Sequence, residues 1–364
     1  LLLSAGDLTH GSAEAMFTVG DAMMVAMNAF GIDVFTPGNW DFGYGPAVFR
    51  NRFADNGPFP TIPPNIRVMS KYISCADIPE IAGLTDADSG YQCEENTATR
   101  PNPTPLGFGV IKAQFPSVAV NLYNDAPVPN RNRTLKPYET LDRDGVRIAV
   151  IGLTAAIVPQ QADTFNIGLR FTQGVEELPG IIEDAKADGA ELIVVQSELG
   201  LAQNIKIAQS FKDIDVMYSA HTHEITLGAL LADKDGVIRT TPGVPLSGNE
   251  KSRLARGAAI VVETNRDMYV GRLDVQVADD KVVDFSWEAI AVDDGWREDP
   301  AMAELVAWIE APFVSGDDLI RHTFMPGGFC TPPNSPGNCG NTDERGLQLV
   351  DGLDTVVGKT DTLL

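Results

Sequence analysis

Short apolar runs alternate with stretches of helical periodicity along the chain as far as Glu224. A run of four to eight apolar residues is typical of a buried strand, whereas apolar positions three or four residues apart are typical of a helix facing a core. We predict strands at residues 1–5, 32–36, 118–122, 146–153, 192–195 and 214–218, and helices at residues 12–31, 175–187 and 202–211. This alternation predicts a layered α/β fold.

The pattern becomes β-rich beyond Glu224. We predict strands at residues 257–263, 270–277 and 281–291, and a short helix at residues 302–309. Two stretches, residues 53–115 and 325–345, show no sustained period and are rich in Pro, Asn, Thr and Gly. Because long structureless loops are rare in compact domains, we interpret the first as an inserted excursion over the surface.

The charge balance limits the classes of partner. Fifty acidic residues against 27 basic ones give a formal net charge of −23. So acidic a chain is a poor partner for a nucleic-acid backbone or an anionic membrane. The sequence also contains no apolar run of about 20 residues, the length that a membrane-spanning helix requires.

The four cysteines form two local pairs, Cys75 with Cys93 and Cys330 with Cys339. Both pairs lie in loop-like sequence, and neither has the spacing of a zinc site. Two loop-stapling disulfides and an oxidising compartment are the favoured interpretation, although other pairings and free thiols are also compatible with the spacing.

Polar side chains follow several of the predicted strands. Asp7, Asn39 and Glu198 each lie in a strand-end loop, and His221 and His223 come after the run at residues 214–218. Residues i and i+2 of a strand point the same way, so we expect the two imidazoles to converge. Carboxylate, amide and imidazole groups together suit Mn²⁺, Zn²⁺ or Fe²⁺. Asp7 and Asn39 are also compatible with turn and cap positions, and Glu198 with a solvated loop carboxylate.

Five motifs, in order, carry a family resemblance. They are Gly6-Asp7 with Gly11-Ser12, Met27-Asn28-x-x-Gly31-x-Asp33, Gly38-Asn39-Trp40-Asp41-Phe42, Ser197-Glu198-Leu199-Gly200 and Ala220-His221-Thr222-His223. Together they resemble the motifs of calcineurin-like metallophosphoesterases, in the branch of 5'-nucleotidases, UDP-sugar hydrolases and 2',3'-cyclic phosphodiesterases. The resemblance implies a two-sheet α/β sandwich flanked by helices over residues 1–355. It does not cover residues 53–115, which we interpret from their own composition and cysteine pair as a disulfide-tied inserted loop region. Residues 356–364 resemble the start of a linker to a C-terminal domain that is absent here.

The same resemblance implies the roles of the site residues. Asp7 would bridge two metal ions, with Asn39, Glu198 and His221 on one ion and His223 on the other. Asn39 and Asp41 would belong to the catalytic machinery, although Asp41 is also compatible with a role as partner of a backbone amide. A hydroxide bound to the metal would attack the phosphate ester.

Two departures from the family pattern alter these expectations. Trp40 and Glu198 stand where the family has histidines, and the family's first motif, Asp-x-His, would lie upstream of Leu1. We therefore expect two ions if that motif exists and otherwise one or none. Trp40, with the run from Phe42 to Gly45, also resembles the thiosulfohydrolase of bacterial sulfur oxidation.

Three hypotheses follow for the function. The first is an extracellular or periplasmic metal-dependent phosphoesterase acting on a nucleotide or another small phosphate ester. The second is a catalytically inactive relative that serves as an extracellular structural or assembly module, with self-association or an assembly partner. The third is a hydrolase of sulfur esters. His10, close behind Asp7, is either a replacement imidazole or a surface residue.

Overall fold

The computed structural model describes residues 1–12, 14–15, 20–54, 111–126, 132–264, 266, 268–314, 319–321 and 348–350. The four cysteines, almost all of the 53–115 stretch, the second irregular stretch and residues 356–364 lie outside these ranges. The chain divides into two compact units. The first comprises Leu1–Leu8, Ile32–Gly57 and Phe115–Arg297, and the second comprises Thr9–Gly31, Pro58–Gln114 and Glu298–Leu364.

The elements of the first unit begin with strands. They are β1 (Leu3–Ala5), β2 (Val34–Thr36), β3 (Leu122–Asn124), β4 (Tyr138–Arg143), β5 (Val146–Leu153), β6 (Leu169–Phe171), β7 (Leu192–Ser197), β8 (Val216–Ser219), β9 (Leu230–Asp233), β10 (Gly236–Arg239), β11 (Ala259–Glu263), β12 (Tyr269–Ala278) and β13 (Lys281–Ala291). Its helices are α2 (Pro46–Phe53), α3 (Val158–Gln161), α4 (Asp163–Asn166), α5 (Leu178–Ala187), α6 (Leu201–Ser210) and α7 (Gly248–Ala255). A short 3-10 turn spans Trp40–Phe42.

A seven-stranded sheet lies at the centre of this unit, in the order β10-β9-β11-β8-β7-β5-β4. Neighbouring strands run parallel from β5 through β7 and β8 to β11, and β4, β9 and β10 complete the sheet with antiparallel pairing. β7 is buried at all six positions because its near-continuous apolar sequence is covered on both faces. The carboxyl ends of the parallel strands therefore lie at one edge of the sheet.

Each face of the sheet packs against a different layer. On one face, Ile181 of α5 and Ile207 of α6 share an apolar core with Ile193 of β7. On the other face, Val34 of β2 and Trp287 of β13 join a second core. Trp287 also donates its indole N–H to the Thr226 carbonyl at 2.6 Å, which ties the β12–β13 hairpin to the layer below. These layers confirm the mixed α/β fold that the sequence predicts.

Several predictions need adjustment. The strand predicted at residues 118–122 is found at Leu122–Asn124, and Val118 forms only an isolated bridge with Lys136. The sequence analysis missed β4, β9 and β10, and it also missed α7, whose Ser247 and Glu250 form a capping box. β4 contains few apolar residues and is partly exposed, so its strand signal is weaker than that of its neighbour β5.

The second unit contains α1 (Asp21–Phe30), α8 (Pro300–Val314) and the strand pair β14 (Leu319–Arg321) and β15 (Gln348–Val350). Gly31 ends α1 with a left-handed φ of 81°, as predicted for a glycine C-cap. The predicted start of this helix at Ser12 was wrong, because α1 follows Gly20, whose φ is 86°, and no side chain caps it. The Ser12 hydroxyl accepts the Ala15 N–H at 3.1 Å, upstream of α1. Among the described residues, no helix is both long enough and apolar enough to cross a membrane.

A buried carboxylate at the opposite, amino-terminal edge of the sheet gives a prediction about pH. Burial raises the pKa of Asp215 from 3.8 to about 6, while the amide of Ile193 opposes the change. The folded state therefore binds this proton more tightly than the unfolded chain. Stability from this group is greatest below pH 3.8 and falls as the pH rises through 6.

Asp215→Asn should remove this dependence. We expect the difference in unfolding free energy between the variant and the parent to change by about 1–3 kcal/mol between pH 4 and pH 7. Denaturant titrations across that range measure it, with the exposed turn residue Asp279, changed to Asn, as the control. Parallel stability profiles for Asp215→Asn and the parent would contradict the prediction.

Candidate functional site

Two glycines let the strand-end loops approach one another closely. A Cβ built on Gly6, which has a φ of 75°, would lie 2.3 Å from Oε1 of Glu198. A Cβ on Gly38 would lie 2.3 Å from Oδ1 of Asp7. The ends of β1, β2 and β7 therefore meet here, and the structure brings Asp7 and Glu198 together as the sequence predicts.

Asp41 holds two of these loops together. Its Oδ2 accepts the backbone N–H groups of Asp7 and of Gly38, each at 2.8 Å. Its side chain is buried, and burial raises its pKa to about 7. The charge of Asp7 contributes to this rise in pKa, whereas the two amide hydrogen bonds oppose it. The contacts of Asp41 thus position the loops. The backbone N–H of Trp40 adds a third hydrogen bond between them, to Oδ1 of Asp7 at 2.8 Å.

Glu198 is the least satisfied polar group of the site. It directly follows β7 and is only 2% exposed, and neither carboxylate oxygen has a hydrogen-bond partner among the described residues. Nδ1 of His221 lies 3.6 Å from Oε2, beyond hydrogen-bond distance. Burial raises the pKa of Glu198, His221 lowers it, and Asp7 raises it again. The carboxylate in turn raises the pKa of His221.

The two histidines do not have the strand geometry that the sequence analysis assumed. β8 ends at Ser219, and His221 and His223 follow in a loop with left-handed φ values of 84° and 53°. Alternation along a strand therefore does not apply, and the expectation of convergence on that ground was wrong. His221 is half-buried against Glu198, whereas His223 is exposed.

A third buried carboxylate, Glu263, positions the histidine loop. It lies at the end of β11, opposite Ser219 in the strand register. Glu263 accepts the Ser219 hydroxyl at 2.5 Å and the Glu224 N–H at 3.0 Å. Asn204 of α6 extends this network, because its amide donates to Ser219 at 2.8 Å and its oxygen accepts the Ser197 hydroxyl at 2.6 Å. The sequence analysis missed both residues, although a glutamate at the end of an apolar strand was a visible signal.

The side chains at this site have the oxygen and nitrogen donor groups that bind cations. Buried polar groups are nearly always paired, so the unpaired oxygens of Glu198 require an explanation such as an unseen ion. Asp7, the buried side chain of Asn39 and the imidazole of His221 offer donor types that suit a borderline divalent ion. Within the described residues, however, no three His, Cys, Asp or Glu side chains are arranged to hold one metal ion.

Comparison with known proteins adds sequence relatives. No protein-family model matches the chain. It is 25% identical over 230 residues to the trifunctional nucleotide phosphoesterase protein YfkN of Bacillus subtilis, covering 62% of the chain and 14% of that protein. Other relatives are named 5'-nucleotidases or metallophosphoesterase. The chain spans between 14% and 35% of the length of these four relatives.

Solved structures share the fold. A 5'-nucleotidase precursor from Thermus thermophilus aligns with a TM-score of 0.56 at 19% identity, covering 86% of this chain and 49% of that chain. The sulfate thiohydrolase SoxB of the same organism aligns with a TM-score of 0.55 at 15% identity, covering 86% and 42%.

The close approach at Gly6 predicts a steric effect. Gly6→Ala should force the Glu198 carboxylate to move and should strain the backbone at a φ of 75°. We expect a loss of about 1–3 kcal/mol in unfolding free energy, measured by denaturant titration. Gly180→Ala in α5 is the control, since its added Cβ meets no atom within 4 Å. Equal stability of the two variants would count against the described packing.

Glu263 gives a second prediction. Glu263→Ala leaves the Ser219 hydroxyl and the Glu224 N–H without their acceptor, at a cost of about 1–3 kcal/mol for the buried Ser219 hydroxyl. We expect lower stability and faster hydrogen exchange of the Glu224 amide. Glu288→Ala, an exposed glutamate in β13, is the control. An unchanged exchange rate at Glu224 would show that Glu263 does not order the loop.

Proposed function

We propose that this chain, which belongs to the calcineurin-like metallophosphoesterases related to 5'-nucleotidases, hydrolyses small phosphate esters with a divalent cation. A nucleotide is the first substrate to test, because relatives are named for nucleotide substrates. The proposal includes an extracellular or periplasmic location, on the ground of the loop cysteines and the acidic surface.

The observation that carries the proposal is the buried carboxylate of Glu198, whose oxygens accept no hydrogen bond among the described residues and which lies beside Asp7 and 3.6 Å from His221. Burying an ionised carboxylate without a partner is costly, so a group with this placement either keeps its proton or meets a cation. The carboxylates at this edge would also repel a phosphate group. A cation among them answers both problems, since it pairs with Glu198 and attracts the anionic ester.

The chain's own residues divide the remaining work. Asp7, Asn39, Glu198 and His221 would hold the ion, with His223 as a further candidate from the same loop. A bound divalent ion supplies positive charge for the phosphate oxygens and activates water. Asp41 fixes the loops through the amides of Asp7 and Gly38, so we assign it a positioning role. The indole of Trp40 carries no titratable proton for the leaving group.

A catalytically inactive relative is the second candidate function. It is favoured by the lack, among the described residues, of three suitably placed His, Cys, Asp or Glu side chains. Such a module would keep the sandwich for self-association or for binding an assembly partner.

Glu198→Gln tests the proposal through two opposite effects. Because the amide carries no charge, we expect the metal-free variant to be more stable than the parent at pH 8. The same variant should bind Mn²⁺ or Zn²⁺ at least about 10-fold more weakly and should lose hydrolysis of nucleoside 5'-monophosphates in parallel. Calorimetric metal titration, thermal unfolding and phosphate release measure the three effects. Glu183→Gln, an exposed glutamate of α5, is the control.

The alternatives give different results. Metal binding that is independent of Glu198 contradicts the proposed ligand set. Absence of metal binding and of phosphate release supports the inactive module. Metal binding with turnover of a thiosulfonate but not of a phosphate ester favours the sulfur-ester hypothesis suggested by Trp40.

A further inference from the structure

A pair of aromatic rings borders the candidate site. Trp40 lies between Asn39 and Asp41, at the start of the 3-10 turn, and its backbone N–H donates to the Asp7 carboxylate at 2.8 Å. Its side chain is nevertheless 38% exposed. The ring of Phe165, in α4, lies 6.3 Å from the Trp40 ring in an edge-to-face arrangement with an interplanar angle of 65°. An aromatic pair, with Trp40 exposed and Phe165 partly buried, thus lies beside the carboxylates of Asp7, Asp41 and Glu198.

The backbone that carries this pair is held from both sides. Phe42, at the end of the same 3-10 turn, stacks on Phe49 of α2 at 4.1 Å and meets Phe171 of β6 edge-on at 5.0 Å. On the other side, a Cβ built on Gly45 would lie 3.9 Å from the Thr164 carbonyl, so α4 packs against the start of α2. The exposed ring of Trp40 therefore projects from a fixed turn.

The chemistry of an indole restricts what this ring can do. Its one polar group is a donor N–H, and it has no proton to exchange near neutral pH and no lone pair for a metal. What it offers a substrate is a large flat apolar face, which favours contact with another planar ring. Two more exposed apolar side chains, Ile157 and Ile167, border the helices α3 and α4 and extend the apolar character of this side.

We propose that Trp40 and Phe165 form a leaving-group subsite, so that the enzyme prefers phosphate esters whose leaving group is a planar aromatic ring. This inference rests on the proposed function, because the phosphate group would bind at the adjoining Asp7 and Glu198. The subsite acts by contact alone. The ester bond to phosphorus breaks, water supplies the new oxygen on phosphorus, and the aromatic alcohol leaves with a proton from solvent.

The first test compares two substrates on the metal-loaded protein. Phenyl phosphate and glycerol 2-phosphate carry the same phosphate group, and they differ in the ring. In the parent protein we expect a higher kcat/KM for phenyl phosphate. Trp40→Ala should reduce the ratio of the two kcat/KM values about 3- to 10-fold, the size of an aromatic contact. The loss should lie mainly in KM, because the ring binds the ground state as well as the transition state.

Three further variants keep the test decisive. Trp40→Phe preserves a flat ring and should retain most of the preference. Phe165→Ala removes the supporting ring and should lower the ratio even if Trp40→Ala fails to fold. Trp296→Ala is the matched control, since Trp296 is 60% exposed and donates its indole N–H to Ala291 outside the site. An unchanged ratio in both Trp40→Ala and Phe165→Ala would overturn the subsite.

A binding measurement separates this inference from the proposed function. Phenylphosphonate and methylphosphonate are not hydrolysed, so their binding can be measured directly. Calorimetry gives their affinities. Titration of the tryptophan fluorescence gives them independently, and the part of the signal that is missing in Trp40→Phe comes from Trp40. Tighter binding of phenylphosphonate that is lost in Trp40→Ala supports the subsite even if no phosphate ester is hydrolysed. Equal affinity for both phosphonates in an active enzyme refutes the subsite and leaves the proposed function standing.

Discussion

The burial of the Glu198 carboxylate is the constraint on which the rest of the site depends. The group directly follows a fully buried strand and is 2% exposed, and neither of its oxygens has a hydrogen-bond partner in the part of the chain that the structure describes. It occupies this place because Gly6 has no side chain to fill the same space. A carboxylate in so dry a place is stable either as the neutral acid or beside a positive charge, so the local structure is poised to take up a proton or a cation.

The other two buried carboxylates of this edge have a different function in the structure. Asp41 binds backbone amides of the loops after β1 and β2, and Glu263 binds the loop after β8. Each therefore fixes the backbone that carries candidate ligands, rather than offering its own oxygens. This contrast explains how three buried acidic residues can lie at one edge of the sheet. Asp41 and Glu263 accept local hydrogen bonds, and Glu198 remains available to a ligand.

The sequence predicted the parts of this fold that a local pattern determines. The run Val146–Leu153 was recovered as β5, and Lys281–Ala291 as β13, because apolar runs and alternation determine strands directly. Glu198 was placed correctly since a strand end is a local feature. The histidine loop was not, because the left-handed φ values at His221 and His223 depend on hydrogen bonds to Glu263, some forty residues away. The hydrogen bonds of Asp41, and the lack of hydrogen bonds to Glu198 among the described residues, likewise depend on tertiary contacts that a local sequence pattern does not predict.

The two departures from the family pattern have linked consequences. In the proposed function, a carboxylate at Glu198, where the resembled family has a neutral imidazole, would cancel more of a bound ion's charge and would weaken the attraction of that ion for an anionic ester. Trp40, in place of a second imidazole, removes a proton donor but adds an exposed flat ring beside Asp7. The substrate affinity lost through the weaker attraction between the ion and the phosphate group would then be recovered through apolar contact with the Trp40 ring. The specificity of the site would depend on the leaving group as well as on the phosphate group.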